Sequence, residues 1–450
     1  MDVMALLPEF GGLLWTLLAF VVALSVIVAI HEYGHYIVGR WSGIHAEVFS
    51  LGFGPVIYSR TDKRGTVWQL AALPLGGYVK FLGDSDAASG KDGAAIEGLS
   101  EADRRHTMHG APLWARSATV AAGPVFNFIL SILVFASMLM FQGRVAEPLT
   151  VGALTPLPAQ GITLQPGDEL IAIGGAKVPA FDDADGYATF SDDLPMEPLL
   201  PYEVRRDGQV TTVQGPYPYP PLVSQLAPNS AAYSVGLEQG DVITAIDGAP
   251  IFAFGQLKDR VEASEGAPLL LSVWRPGSNE ALEFALAPRR VDEPAPGGGF
   301  RTEWRIGIAG GMAFEPATER AGLLASLSGG VSQTWGIMVS SISGLYHMIT
   351  GAISTCNMSG PIGIAETSGA MASQGAQSFI WFIAALSTAV GLLNLFPIPV
   401  LDGGHLVFHA FEAVTGRPPS DKALRVAMTA GLALVLSLMV FALGNDLFCP

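Results

Sequence analysis

Four stretches of the chain carry no charge and are long enough to cross about 30 Å of hydrocarbon as helices. They are Gly11 to Ile30, Ser117 to Gly143, Thr367 to Leu401 with its core at Phe379 to Phe396, and Val426 to Gly444. They predict four transmembrane helices, in segments 1–40, 117–143, 376–405 and 426–444. The first run lacks the basic start and small-x-small cleavage site of a signal peptide. It runs straight into His31-Glu-Tyr-Gly-His35 and reads as a retained span. In the segment 41–116, Glu47 to Ile57 and Thr66 to Phe81 are rich in β-formers and punctuated by Gly52, Gly54, Pro74, Gly76 and Gly77. That pattern predicts a β-hairpin sheet close to the membrane. Residues 83 to 111 are small and polar and read as a flexible loop. Within 320–365, residues 321 to 351 mix apolar side chains at helical spacing with Ser, Gln and Thr. One or two amphipathic helices on the membrane surface fit this best, with a fifth span as the competing reading.

An internal repeat lies between the second and third spans. Leu164-Gln-Pro-Gly-Asp-Glu-Leu-Ile-Ala-Ile-Gly-Gly175 resembles Leu237-Glu-Gln-Gly-Asp-Val-Ile-Thr-Ala-Ile-Asp-Gly248, 73 residues later. Such self-similarity marks tandem copies of one small β-rich domain, here 145–220 and 221–292. The second copy, G-L-x-x-G-D-x-I-x-x-I-D-G, resembles the PDZ family; the first departs from it at Thr163 and Gly174. The PDZ resemblance implies binding of extended peptide ends by strand addition. A purely steric spacer fits the residues equally well.

Composition agrees with a polytopic membrane protein: of 450 residues 50% are apolar and only 14% charged, with a mean hydropathy of +0.41. The net charge of −16 argues against nucleic acid as a partner. Basic residues gather after the first span, from Arg40 through Arg64 and Lys80 to Arg116, and after the third, at Arg417, Lys422 and Arg425. The positive-inside rule puts both loops in the cytoplasm. Both termini and residues 145 to about 365 then fall on the outer, periplasm-like side. Cys356 and Cys449 share that outer side, which leaves a disulfide open, although two unpaired residues are the simpler reading.

The chemistry begins at HEYGH. Histidines at i and i+4 share one helix face and can reach one metal, and Glu32 beside them can contact a metal-bound water. Ionisable groups at the end of an apolar span are costly unless they serve a purpose. A catalytic zinc takes three protein ligands and keeps one position open. The third ligand is sought in Asn394-Leu-Phe-Pro-Ile-Pro-Val-Leu-Asp-Gly-Gly-His405, where two prolines break the helix. Broken backbone at membrane depth is tolerated only where it is buried or lines a wet cavity. Asp402 is the sole carboxylate between Glu366 and Glu412, and His405 is a rival by type. An Asp at this point also suits a helix cap.

HEYGH, the N-x-x-P-x-P-x-x-D-G run from Asn394 to Gly403 and the PDZ-like pair between spans resemble the site-two protease family of intramembrane zinc metalloproteases. FSLGFGP (Phe49 to Pro55), PLGGYVK (Pro74 to Lys80), AAGPVFN (Ala121 to Asn127) and SGPIGIA (Ser359 to Ala365) extend the resemblance over nearly the full length. It implies that Asp402, rather than His405, joins His31 and His35 on Zn2+. It implies that Asn394 holds the substrate or the oxyanion, and that the Thr66 to Phe81 region pairs with substrate. The implied reaction is peptide hydrolysis with Glu32 as general base, at a site towards the cytoplasmic side. Implied substrates are single-span proteins already trimmed outside, such as an anti-sigma factor, and signal-peptide remnants in the lipid bilayer. The expected fold is a polytopic α-helical membrane protein with four transmembrane helices, a small membrane-associated β-sheet and two tandem β-rich PDZ domains. A non-catalytic PDZ-containing scaffold or a metal transporter is the alternative. The transporter suits the chain less, because its polar residues cluster at one depth.

Overall fold

The computed structural model describes residues 7–84, 100–181, 183–278, 280–295 and 299–449. The chain forms two compact units: one holds the residues up to Ser137 with Leu324–Gly351 and Thr355–Cys449, the other Met138–Leu323 with Ala352–Ser354.

The first unit is built from helices α1 (Leu7–Trp41), α2 (Leu113–Gln142), α3 (Leu323–Ile349), α4 (Pro361–Ser373), α5 (Ala376–Asn394), α6 (Asp402–Thr415) and α7 (Asp421–Phe448). Four of them, α1, α2, α5 and α7, are long and apolar enough to cross a membrane, as the apolar runs predict. They leave large apolar side chains such as Leu13, Leu133, Ile380 and Val440 exposed, which suits a lipid surrounding and not water.

The break after α5 follows from its two prolines, which lack the N–H a helix needs. The chain tightens through Leu395 N–H to Leu392 O and Phe396 N–H to Leu393 O, then restarts at Asp402. Gly403 and Gly404 let the first turn of α6 fold back on this break. A Cβ on Gly403 would run into the carbonyls of Leu395 and Phe396, and one on Gly404 into that of Ile398.

Strands β1 (Ala46–Thr61) and β2 (Val67–Phe81) form the predicted antiparallel hairpin. The hairpin curls so that Phe49 pairs with Val79 on one side and with Trp68 on the other. Gly77 to Phe81 therefore forms an edge with no further strand partner among the described residues. Tyr36, Phe49, Val79, Phe81, Met108, Ala111 and Ala115 make one buried cluster that fixes the hairpin to α1 and the start of α2.

Met108 and Ala111 correct the reading of 83 to 111 as a flexible loop. Residues 100–111 are folded: Ser100 caps the turn Glu101–Arg104. The Thr107 hydroxyl donates to the Arg104 carbonyl at 2.7 Å and accepts from Gly110 N–H at 2.9 Å. Burial of two apolar side chains outweighs the polar composition. The remainder of the loop, 85–99, lies outside the described residues.

Helix α3 is continuous through the region read as one or two helices. Ser326, Gly330 and Thr334 are buried, and a Cβ on Gly330 would strike the Ile132 carbonyl of α2. Small residues at i, i+4 and i+8 thus bring two helix backbones close together.

The two cysteines are paired, against the simpler reading of the sequence. Cys356 and Cys449 form a disulfide with Cα atoms 5.6 Å apart across a separation of 93 residues. Asp446 closes the same corner by accepting Gly360 N–H (2.7 Å) and Ile362 N–H (3.0 Å) at the start of α4, where a carboxylate suits the helix dipole. These contacts bring the end of α7 to the segment before α4. Proximity there comes from the tertiary fold and leaves no trace in cysteine spacing.

In the second unit the internal repeat recurs as topology. One four-stranded sheet has the order Ala176–Lys177, Glu169–Ile173, Leu199–Arg206, Gln209–Pro216. The other has Ala249–Pro250, Val242–Ile246, Leu269–Trp274, Leu282–Leu286. Each carries a ten-residue helix at the matching place, Ala184–Asp193 and Phe254–Ala263.

The aspartate of each repeated motif is buried and takes two hydrogen bonds from one arginine. Asp168 is held by Arg206 at 2.6 and 2.7 Å, and Asp241 by Arg275 at 2.7 and 2.8 Å. Burial alone would raise the Asp168 pKa, but hydrogen bonds from Arg206 and Gln165 N–H outweigh it and leave the pKa below its usual value. The stabilisation is therefore present above the unfolded pKa of about 4 and is lost as pH falls through the folded one. Acidification from about pH 6 to about pH 3 should lower amide-exchange protection of the first copy. In Arg206→Leu the sign should reverse, because an unpaired buried carboxyl favours its protonated form. Exchange mass spectrometry of both proteins checks this, and equal acid sensitivity would contradict it.

Candidate metal centre

The four-residue spacing in HEYGH sets His31 and His35 on one face of α1, with Nε2 atoms 3.1 Å apart. Asp402, first residue of α6, brings Oδ2 to 3.2 Å from His31 Nε2 and 3.6 Å from His35 Nε2. Among the described residues this is the one group of three or more His, Cys, Asp or Glu whose ligand atoms all lie within 4.8 Å of one another. His405 is outside it.

The three side chains are only 12, 13 and 18% exposed. Asp402 Oδ2 is buried and accepts no hydrogen bond of proper geometry, although both rings lie within ion-pair range. His35 Nδ1–H donates to the Thr119 carbonyl at 2.8 Å, which turns the Nε2 lone pair into the cluster. Two ring nitrogens and a carboxylate oxygen converging on one point fit the donor set of a zinc site with a position left for water. The α2 backbone closes the back of this cluster at Gly123. A Cβ there would meet His35 Nε2 and lie 2.8 Å from His31 Cε1.

The cluster opens on a cavity of about 290 Å³. Glu32 lines it beside the histidines and faces the β2 edge, where a Cβ on Gly77 would lie 3.1 Å from Glu32 Cγ. Asn394, at the end of α5, lines it too, as does His405.

His109, Arg116 and His409 also line the cavity, with no signal in the sequence. Asp84 Oδ2 accepts from Phe81 N–H at 3.0 Å, while its Oδ1 faces His109 Nε2 at 3.4 Å. Arg116 grips Glu412 with two hydrogen bonds of 2.6 and 3.1 Å. Burial, and then the Arg116 guanidinium, push His409 down to about 4, so it is neutral near pH 7. No motif spacing links these positions, because the hairpin, the start of α2 and the end of α6 are brought together only by the fold.

Residues 19–438 match the profile of peptidase family M50, a span that takes in HEYGH and Asp402 alike. The chain belongs to peptidase family M50. M50 relatives run along almost its whole length. It is 36% identical over 438 residues to a putative zinc metalloprotease of Rhizobium meliloti, covering 97% of both chains. It is 35% identical over 441 residues to one of Agrobacterium fabrum, again covering 97% of both. A third relative is the regulator of sigma-E protease RseP of Salmonella typhimurium, 33% identical over 464 residues and covering 97% of this chain and 99% of the relative. Membership of M50 decides for an enzyme over the scaffold or transporter.

Proposed function

We propose that this M50 peptidase cuts transmembrane segments of single-span proteins inside the bilayer. The observation that carries this reading is the convergence of His31, His35 and Asp402 at the end of an apolar span. The chain is a zinc-dependent protease, as the names of its relatives indicate. His31 Nε2, His35 Nε2 and Asp402 would hold Zn2+. When bound, the ion supplies Lewis acidity, which makes water a nucleophile near neutral pH. Glu32 takes the proton of the attacking water on its carboxylate and returns it to the leaving amine. The Asn394 amide donates to the oxyanion that develops on the scissile carbonyl.

A substrate helix hides its carbonyls in its own hydrogen bonds, so it must unwind before it is cut. The free edge Gly77 to Phe81 lies beside Glu32, and a strand added there would satisfy the released backbone. The two repeated domains of the second unit are read as PDZ domains that admit substrates trimmed on the periplasmic side, an anti-sigma factor or a signal-peptide remnant among them. Both termini are placed in the periplasm of a multi-pass inner-membrane protein and the active site towards the cytoplasm, in keeping with the basic loops.

The test is cleavage in liposomes of a single-span substrate with its outer domain removed. Cutting should fall to background with a zinc chelator and return when Zn2+ is restored, and the cut should map inside the apolar segment. Undiminished cleavage in zinc-stripped protein, or a cut outside that segment, would defeat the proposal.

A further inference from the structure

We infer that Asn127 of α2 aims His31 at the metal, by accepting a hydrogen bond from His31 Nδ1–H on its side-chain oxygen. The inference rests on the zinc site proposed above and concerns how one of its ligands is held.

The two histidines differ in how well their protons are fixed. His35 has no choice, because the Thr119 carbonyl opposite its Nδ1 can only accept. His31 Nδ1 instead lies 3.2 Å from the Asn127 side-chain amide, whose near atom is placed as Nδ2. In that orientation His31 Nδ1 accepts, so a neutral ring carries its proton on Nε2. That proton would point at His35 Nε2, 3.1 Å away, and Nε2 would have no lone pair for a cation.

The same orientation leaves Asn127 Oδ1 buried with no hydrogen-bond donor, on a residue that is 0% exposed. Oxygen and nitrogen of an amide occupy the same space, and which is which is assigned from the hydrogen bonds around them. Turning the amide over gives the oxygen a donor in His31 Nδ1–H and presents the Nε2 lone pair to the cluster. Both histidines then follow one rule: Nδ1–H goes to an oxygen of α2 and Nε2 goes to the metal.

Asn127 is held firmly enough for this role. Its backbone carbonyl accepts the hydroxyls of Ser131 and, from α5, Ser387, both at 3.0 Å. Gly391 lets α5 come so close that a Cβ on it would lie 3.1 Å from the Asn127 Cβ. The amide thus sits on a junction of two spans, and His31 is oriented relative to both. Asn127 is a positioning residue and touches no reacting atom.

Two substitutions separate the possibilities. Asn127→Leu keeps the volume and loses the hydrogen bond; Asn127→Asp can accept from Nδ1–H, but as a carboxylate it cannot donate to Nδ1. Zinc affinity of the purified full-length protein, by competition with a chromogenic chelator, is the readout, with zinc-free thermal unfolding as the check on folding. Asn127→Leu should bind zinc about 10- to 100-fold more weakly, while Asn127→Asp should equal or exceed the wild type. An Asp variant that falls as far as the Leu variant would mean that His31 Nδ1 accepts from the amide, and would overturn the inference. So would unchanged affinity in Asn127→Leu. If Asn127→Leu does not fold, the comparison of Asp with wild type decides alone. Failure of the zinc site itself shows separately, as wild-type protein that binds no more zinc than His31→Ala.

Discussion

Glu32→Gln should keep its zinc and lose about 10²- to 10⁴-fold in the rate of peptide cleavage, the usual worth of a positioned general base. The glutamine has nearly the same shape and still reaches the cavity beside His31 and His35, but it cannot take a proton from water. Glu32 is not one of the three side chains whose ligand atoms converge, so the metal content should stay at the wild-type level. Cleavage and zinc content measured on one preparation check both halves. Loss of activity together with loss of zinc would make Glu32 a ligand, and unchanged cleavage would remove it from the mechanism.

The second large effect separates Asp402 from His405, three residues apart on α6. Asp402→Ala should bind zinc far more weakly and lose cleavage with it, by more than the 10- to 100-fold expected when only a hydrogen-bond partner of a ligand is removed. His405→Ala should keep stoichiometric zinc. The difference is geometric: Asp402 Oδ2 stands 3.2 Å from His31 Nε2, whereas His405 lines the same cavity without joining the convergent atoms. Metal analysis of the two variants beside wild type decides the matter, and the reverse pattern would move the third ligand to His405.

Features fixed by local periodicity were legible in the chain. The spans show as uncharged runs because lipid tolerates little else, and the hairpin shows as β-formers with glycine punctuation. HEYGH declares its own geometry through helical spacing. Asp402 stands out because a lone carboxylate in a proline-broken segment has few other uses, yet its advantage over His405 depends on how α6 folds back on Leu395 and Phe396.

Long-range pairings left no mark. Asn127 lies 96 residues from His31, and no periodicity joins them, although AAGPVFN is conspicuous as a run. Cys356 and Cys449 are 93 residues apart; a shared outer side left their pairing open, and their spacing did not favour it. Residues 100–111 misled through composition, since two buried apolar side chains, Met108 and Ala111, sufficed to fold a stretch that is otherwise polar.

The free edge at Gly77 to Phe81 imposes a demand of length as well as of hydrogen bonding. A substrate laid along these five positions advances about 3.3 Å per residue as a strand, against about 1.5 Å in the helix it came from. Opening five residues therefore lengthens the substrate by about 9 Å, close to a third of the hydrocarbon thickness of about 30 Å. That slack must leave the bilayer at one end or be taken up as tilt. A folded domain pressed against either surface would resist the slide, whereas a bare stub would not. On the proposed reading, stripping a substrate before it is cut would then matter for reasons of travel, independently of any recognition by the two repeated domains.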